Sequence, residues 1–259
     1  MRFYITSKST PKCLKLKDEL IDILMENGFE IDEDNPEIVF SLGGDGTFLR
    51  TIHSYGNVNP LFIGFNEGKL GFLCEFTLDN FKDVIEKLIN QNYLEKEVRL
   101  LRCRFSDKSF YALNEIRIEA INGNSLNFNV SINDDYLEKP NADGICFSTS
   151  LGSSGITRGL RGALVSSNLE IIEMCEKTPI NNRIYSSLNS PLILDKDSVI
   201  LLDDFSSSTF NIFYDNYYYL VNNFNGEIEI TLSNKTIRIL KNEETSYINR
   251  LNDSFIREN

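Results

Sequence analysis

The chain of 259 residues has a single histidine, no CxxC pair and fewer basic than acidic side chains, and each shortage closes off a class of function. His53 alone would have to serve any Ser-His-Asp scheme or imidazole-rich zinc site, so neither is expected. A position near the end of a helix, where positive charge suits the dipole, is its plainer role. The five cysteines, at 13, 74, 103, 146 and 175, are odd in number and lack metal-ligand spacing, which fits reduced thiols in a cytoplasm. No run approaches the ~18 consecutive apolar residues of a membrane helix, and Met1-Arg2-Phe3-Tyr4-Ile5-Thr6 turns polar too soon for a secretory signal. With 26 Lys and Arg against 38 Asp and Glu, the net charge of -12 argues against a nucleic-acid surface. Polyanionic ligands must then meet positive potential locally, from backbone amides, a metal ion or single arginines such as Arg50, Arg158 and Arg161. Each arginine reads equally well as a solvated surface charge.

Hydrophobic spacing predicts two regions of different character. Cys13, Leu16, Leu20, Ile21 and Leu24 mark one face of a helix from Pro11 to Gly28, and a second helix spans Leu78 to Asn90 with Thr77 as its N-cap. Strands at Glu37–Leu42 and Pro60–Phe65 alternate with these helices, so an α/β, Rossmann-like layer is expected up to about residue 95. Beyond it the period becomes two, most clearly over Leu126–Asn133, with short runs at 101–105, 116–118, 198–202, 210–212, 228–230 and 237–239. Asn133-Asp134, Asn225-Gly226 and Asn234-Lys235 fall between such runs as hairpin turns would. The Tyr217-Tyr218-Tyr219 cluster reads as packing rather than a stacking platform. No repeat of fixed period and no long low-complexity tract is visible.

Chemistry concentrates in a few segments. Gly43-Gly44-Asp45-Gly46-Thr47-Phe48-Leu49-Arg50 follows a buried strand, and its glycines allow a sharp turn that aims amides at an anion. A helix start from Thr47 onward adds a positive dipole end. A carboxylate repels phosphate, so Asp45 is expected to bind a hydroxyl or a metal; a simple turn-forming role is the alternative. A second strand runs into Asn66-Glu67-Gly68-Lys69-Leu70-Gly71-Phe72-Leu73. Both loops follow the carboxyl ends of strands, where open α/β sheets bind ligands. Asn114-Glu115 interrupts an alternating strand with two polar residues, readable as ligand contacts or as an exposed edge. Asp143-Gly144 leads into Ile145-Cys146-Phe147-Ser148-Thr149-Ser150-Leu151-Gly152-Ser153-Ser154-Gly155, and the Asp-Gly pair alone could be an ordinary turn.

Taken in this order, the four segments resemble the NAD kinase family over most of the chain. Ile180-Asn181-Asn182-Arg183-Ile184-Tyr185, Ser190-Pro191-Leu192 and Asp253-Ser254-Phe255-Ile256 resemble its compact bacterial branch. The resemblance implies an α/β first domain (1–95, with the tail 244–259 returning to it) and a β-rich, sandwich-like NAD-binding domain (96–243). It implies transfer of the terminal phosphoryl group of ATP, or of polyphosphate, to the 2′-hydroxyl of the adenosine ribose of NAD. Asp45 would accept or align the hydroxyl proton, and Gly43, Gly44 and Gly46 would hold phosphate through their amides. Thr47, Arg50 and Asn66 would join them at the nucleotide. Asn114, Glu115 and Asp143 would contact NAD, and Ser154, Gly155, Ile156, Thr157, Arg158 and Gly159 would line its pocket. A divalent ion, Mg²⁺ or Mn²⁺, would accompany the donor without a dedicated protein cage. A cytoplasmic homodimer or homotetramer, with no membrane or nucleic-acid partner, is expected. The chain departs from the family pattern at Ser150-Leu151, Gly155, Glu67, Asn141 and above all Ile156, which stands where a stacking tyrosine is usual. A lipid kinase sharing GGDGT and a catalytically weakened dinucleotide-binding relative are the competing readings.

Overall fold

The computed structural model describes residues 1–68 and 71–256. The chain divides into two compact units, Met1–Val98 with Thr236–Asn259, and Arg99–Lys235. Lys69 and Leu70 of the second glycine-rich segment lie outside the described residues.

The first unit opens with β1 (Arg2–Ser7), α1 (Pro11–Glu26), β2 (Glu30–Ile31) and β3 (Ile38–Gly43). It continues with α2 (Asp45–Tyr55), β4 (Leu61–Asn66), β5 (Phe76–Thr77) and α3 (Phe81–Ile89), after which β6 (Glu95–Phe105) leads out. Strands β2, β1, β3 and β4 lie side by side and parallel, with Phe40 opposite both Ile5 and Ile63. All six residues of β3 are buried, as continuous apolar runs require in a sheet covered on both faces. Thr10 caps α1 by accepting from the Cys13 N–H at 3.4 Å, and Gly28, at φ +78°, supplies the left-handed residue that ends it. A 3₁₀ turn at Leu78–Asn80 precedes α3, and Thr77 and Asn80 close a reciprocal capping box. Phe3, Leu20, Phe40, Ile63 and Leu88 belong to one buried cluster. Helix α2 starts at Asp45, two residues ahead of the expected Thr47. Gly44 stays extended, and its carbonyl accepts from the Thr47 and Phe48 N–H groups at 2.8 and 3.0 Å, which places Asp45 in the first turn.

The second unit is a β-sandwich. The far end of β6 pairs antiparallel with β7 (Lys108–Ala112), followed by β8 (Glu115–Glu119), β9 (Leu126–Asn127), β10 (Asn129–Ile132), β11 (Asp135–Glu138), β12 (Asn141–Ala142) and β13 (Gly144–Ser148). A short α4 (Ile156–Gly159) precedes β14 (Ile171–Lys177), β15 (Leu192–Asp195), β16 (Val199–Asp203), β17 (Phe210–Tyr214), β18 (Tyr217–Val221) and β19 (Ile228–Leu240). One sheet has the order β15-β14-β13-β8-β17-β18, and the facing strands run β11-β10-β16-β19. Ile116, Ile118, Phe147 and Ile212 of the first share a core with Val130, Ile200, Leu202 and Ile230 of the second.

Turn chemistry explains where the sequence expectations held and where they failed. Asn133 and Asp134, at φ +51° and +70°, close the β10–β11 hairpin. Asn225-Gly226 closes none, because the flanking strands β18 and β19 pair with β17 and β16. Asn234-Lys235 lies inside the continuous β19, where the Arg99 guanidinium donates to the Ser233 and Leu232 carbonyls at 2.8 and 3.0 Å. The alternating run Leu126–Asn133 is broken at Phe128, whose side chain is nevertheless fully buried.

The last residues of β19 pair in parallel with β4, and α5 (Tyr247–Phe255) then completes the first unit. Glu75 accepts from Arg250 Nη1 of α5 at 3.2 Å and from the Asn242 N–H at 2.5 Å, while Phe255 stacks on Phe72 at 5.3 Å. Both charged partners are nearly buried, so removing one leaves the other uncompensated. Glu75→Gln is therefore expected to destabilise the first unit by about 3 kcal/mol. Chemical denaturation and protease cleavage within α5 measure it, and unchanged values would contradict a structural role for the pair.

Candidate functional site

In the first unit the two glycine-rich loops are tied together through Asp45. Its Oδ2 accepts from the Phe72 N–H at 2.9 Å, and its Oδ1 from the Leu73 and Cys74 N–H groups at 3.2 and 3.0 Å. The Glu67 N–H donates to the Gly43 carbonyl at 2.6 Å, and the Asn66 side-chain oxygen accepts from the Gly68 N–H at 3.2 Å. A carboxylate offers roughly four acceptor positions. Three are filled by the backbone N–H groups of Phe72, Leu73 and Cys74, and the Cys74 thiol also bonds this carboxylate. Two glycines allow this closeness. A Cβ at Gly71 would collide with the Asp45 carboxylate and lie 2.9 Å from the Asn66 amide nitrogen, and one at Gly64 would sit 2.9 Å from the Phe48 ring and 3.0 Å from Cys74 Sγ. Burial first, and the Asp45 charge second, pushes the Cys74 thiol well up, so it stays a neutral packing group.

Around this loop, Thr47 is buried with its hydroxyl 3.2 Å from the exposed Arg50 guanidinium. Gly43 is buried, Gly44 half-buried and Gly46 exposed. Glu67 carries a charge where the resemblance leads one to expect threonine. A hydrogen bond from Thr10 and then Lys8, whose Nζ is 3.1 Å away, hold its carboxyl below the usual range.

The second unit carries a separate cluster built from three distant segments. The Asp215 carboxylate, at the β17–β18 turn, accepts from the Leu113 and Asn114 N–H groups at 2.8 Å each and from the Glu115 N–H at 3.4 Å. Thr149 Oγ1 donates to the Leu113 carbonyl at 2.6 Å, and the Thr149 N–H to that of Asn114 at 2.9 Å. A side chain at Gly152 would strike the Asn114 carbonyl. Asn114 thus sits in the bend between β7 and β8 rather than inside a strand. Its side-chain oxygen is buried with no hydrogen-bond partner among the described residues. Glu115 opens β8, a central strand, and is 6% exposed, which corrects the reading of an exposed edge. Burial, then the nearby Asp215 charge, pushes its carboxyl up to about 7, against the pull of Arg117.

Asp143 is exposed, and its backbone is held by Ala120 and Lys177 at 2.9 and 3.0 Å. Ser154 is half-buried, and Gly155, Ile156, Arg158 and Gly159 are exposed. Thr157 departs from the expected pocket lining. It is fully buried, with its hydroxyl 3.7 Å from Cys146 Sγ, because α4 lies against β13 and turns this side chain to the sheet. Asp215 and the Phe72–Cys74 amides escaped the sequence reading. The Asp-Asn pair at 215–216, between two alternating apolar runs, was the signal available for the first; backbone donors leave none.

For the activity that the resemblance implies, Gly71→Ala is expected to fold but to displace the Asp45 carboxylate and lower turnover by ~100-fold. A folded variant with wild-type turnover would show that the position of Asp45 does not matter.

Comparison with known proteins matches both units. Residues 6–93 fit the ATP-NAD kinase N-terminal domain and residues 113–242 the ATP-NAD kinase C-terminal domain. NAD kinase 1 of Oceanobacillus iheyensis is 32% identical, covering 100% of this chain and 99% of that protein. The NAD kinase of Staphylococcus saprophyticus is 32% identical over 99% and 98%. Among solved structures, yeast NADH kinase complexed with NADH aligns with a TM-score of 0.84 at 22% identity, over 100% of this chain and 89% of that one. An NAD kinase from Archaeoglobus fulgidus in complex with ATP aligns at 0.80 and 21%, over 98% and 97%. These two establish the shared fold. With both domain models and full-length relatives in agreement, the chain belongs to the ATP-NAD kinase family.

Proposed function

We propose that the chain transfers the terminal phosphoryl group of ATP to the 2′-hydroxyl of the adenosine ribose of NAD, giving NADP, with Asp45 as the residue that receives or aligns the hydroxyl proton. The observation that carries this reading is the Asp45 carboxylate itself. Three backbone N–H groups hold it in one orientation at the start of α2, as a positioned base for a single alcohol requires. A secondary alcohol is a poor nucleophile at neutral pH, and a base of this kind supplies ~10²–10⁴ in rate. The rest of the barrier falls to in-line placement and to neutralising the phosphoryl oxygens, for which the amides of Gly43, Gly44 and Gly46 at the start of α2 are the proposed donors, with Thr47, Arg50 and Asn66 beside them.

The Asn114-Glu115 pair is proposed to hold the adenosine part. Asn114 brings an unpartnered buried oxygen, and an ionised Glu115 accepts from ribose hydroxyls. Asp143 and Ser154, Gly155, Ile156, Arg158 and Gly159 complete the dinucleotide contacts in this reading. Among the described residues no group of three or more His, Cys, Asp or Glu converges as a metal cage, and the one carboxylate at the phosphate loop faces amides. A divalent ion would therefore be held by the donor's own phosphates, where it would spread their negative charge. Polyphosphate as a second donor and assembly into a dimer or tetramer belong to the same proposal; the exposed Tyr218 and Leu220 of the edge strand β18 offer an apolar contact. Five free, buried cysteines support a reducing, cytoplasmic setting. No helix among the described residues is long and apolar enough to cross a membrane. No finding favours a lipid kinase.

Incubation with NAD, ATP and Mg²⁺ is expected to yield NADP. Asp45→Asn should lower turnover by at least ~100-fold while calorimetry shows NAD binding retained; full turnover in the variant would refute the role of Asp45. Ile156 is 40% exposed and has no ring to stack on a ligand. Ile156→Tyr should lower the Michaelis constant for NAD by about threefold to tenfold, and an unchanged or raised constant would contradict the loss of stacking.

A further inference from the structure

We propose that Asp215 is a positioning residue for NAD recognition: its carboxylate clamps the backbone of the Asn114-Glu115 pair and sets the electrostatic field at the Glu115 side chain. This rests on the reading of that pair as the adenosine contact. The clamp spans about a hundred residues of sequence and grips three successive amides, those of Leu113, Asn114 and Glu115. The Asp215 N–H in turn donates to the Glu115 carbonyl at 3.1 Å, so the bond is reciprocal. Asp215 is 6% exposed and sits at φ +50°, a left-handed turn position that aspartate tolerates. A turn needs only a residue that accepts this φ. A buried carboxylate directed at another segment does more than that, and the segment it holds is the one presenting Asn114 and Glu115.

Two negative groups are thereby brought together in a buried place. Facing Glu115 are Asp215 from the hairpin turn, Arg117 two residues along the same strand, and Cys146 on β13. Ser148 lies directly opposite on β13, with Glu173 beyond it on β14. The Glu115 Oε2 atom lies 3.7 Å from where a Cβ of Gly155 would be, at the head of α4, whose charged residue is Arg158. Arg117 is engaged elsewhere, 2.5 Å from Glu119 and 4.4 Å from the Phe213 ring, so its compensation is partial. Burial and the Asp215 charge together hold the Glu115 carboxyl at about 7. Below that pH it is protonated, so one oxygen becomes a donor and the charge that strengthens bonds from ribose hydroxyls is lost; above it the carboxylate forms. NAD affinity should therefore fall as pH drops through about 7 in wild type. Removing the Asp215 charge should move that fall to lower pH, since less repulsion opposes ionisation.

The test uses the full chain as wild type, Asp215→Asn, Asp215→Gly and Glu115→Gln. Both Asp215 variants suit the left-handed turn, and glycine removes charge and acceptors together. Carbon-13 NMR of the glutamate carboxyls, with Glu115→Gln assigning the signal, should show the Glu115 midpoint lower by about one unit in both. Steady-state kinetics should show the KM for NAD raised about tenfold above the midpoint, with kcat changed less than about threefold. Its acid limb should shift to lower pH as well. An unmoved midpoint, or a fall in kcat at unchanged KM, would overturn the role of Asp215. The underlying reading fails separately: Glu115→Gln with wild-type KM for NAD at every pH would remove Glu115 from NAD recognition, whereas the NMR shift in the Asp215 variants would still uphold the clamp.

Discussion

Three backbone amides on one carboxylate organise the first unit. Phe72, Leu73 and Cys74 present their N–H groups to Asp45 from a loop more than twenty-five residues downstream, and the two glycine-rich segments become one structure through that contact. Charge-assisted hydrogen bonds of this kind are stronger and shorter than neutral ones. The negative side chain also sits in the first turn of α2, where the helix dipole favours it. A residue that looked exceptional in a phosphate loop is thus electrostatically at home before any substrate arrives. The close packing of Phe48, Gly64 and Cys74 behind it keeps the loop from relaxing.

The second unit uses the same device in a different fold. A carboxylate from a remote turn, Asp215, fixes successive amides and so fixes the direction of neighbouring side chains. The alternation of β8 then separates two functions of one strand. Ile116 and Ile118 enter the sandwich core, while Glu115, Arg117 and Glu119 alternate with them, Glu119 pairing with Arg117 and Lys177 and Glu115 lying near Gly155. Stability comes from the first set and polarity from the second. Burying Glu115 raises the free energy of its charged form, with the Asp215 charge adding to the cost.

Two of the departures from the family pattern, Ile156 and Glu67, fall outside the buried parts of these frameworks, whereas Asn141 and Ser150 are buried. Ile156 is exposed on α4, and Glu67 is held by Thr10 and Lys8 beside the glycine-rich loop. Neither touches the three amides on Asp45 or the three on Asp215. The framework that aims the polar groups is independent of the residues that tune what they meet, which is why substitutions at Ile156 and Glu67 coexist with intact loop geometry.

Local chemistry in the sequence was enough to determine the change from an α/β to a β-rich region and the helices of the first unit with their Pro11, Gly28 and Thr77 boundaries, while the return of the tail followed from the family resemblance. Apolar periodicity and cap residues act within a few positions and can be read there. The Asn133-Asp134 turn was legible for the same reason. Only the tertiary structure decided that Asn234-Lys235 would stay inside a strand, because Arg99 satisfies the carbonyls at that point from more than a hundred residues away. It also decided that Thr157 would turn inward, that Glu115 would be buried in a central strand, and that Asp215 would matter at all. Those outcomes depend on which backbone donors and which charges meet in space, and a hydrogen bond to a main-chain amide leaves no residue type by which a sequence could announce it.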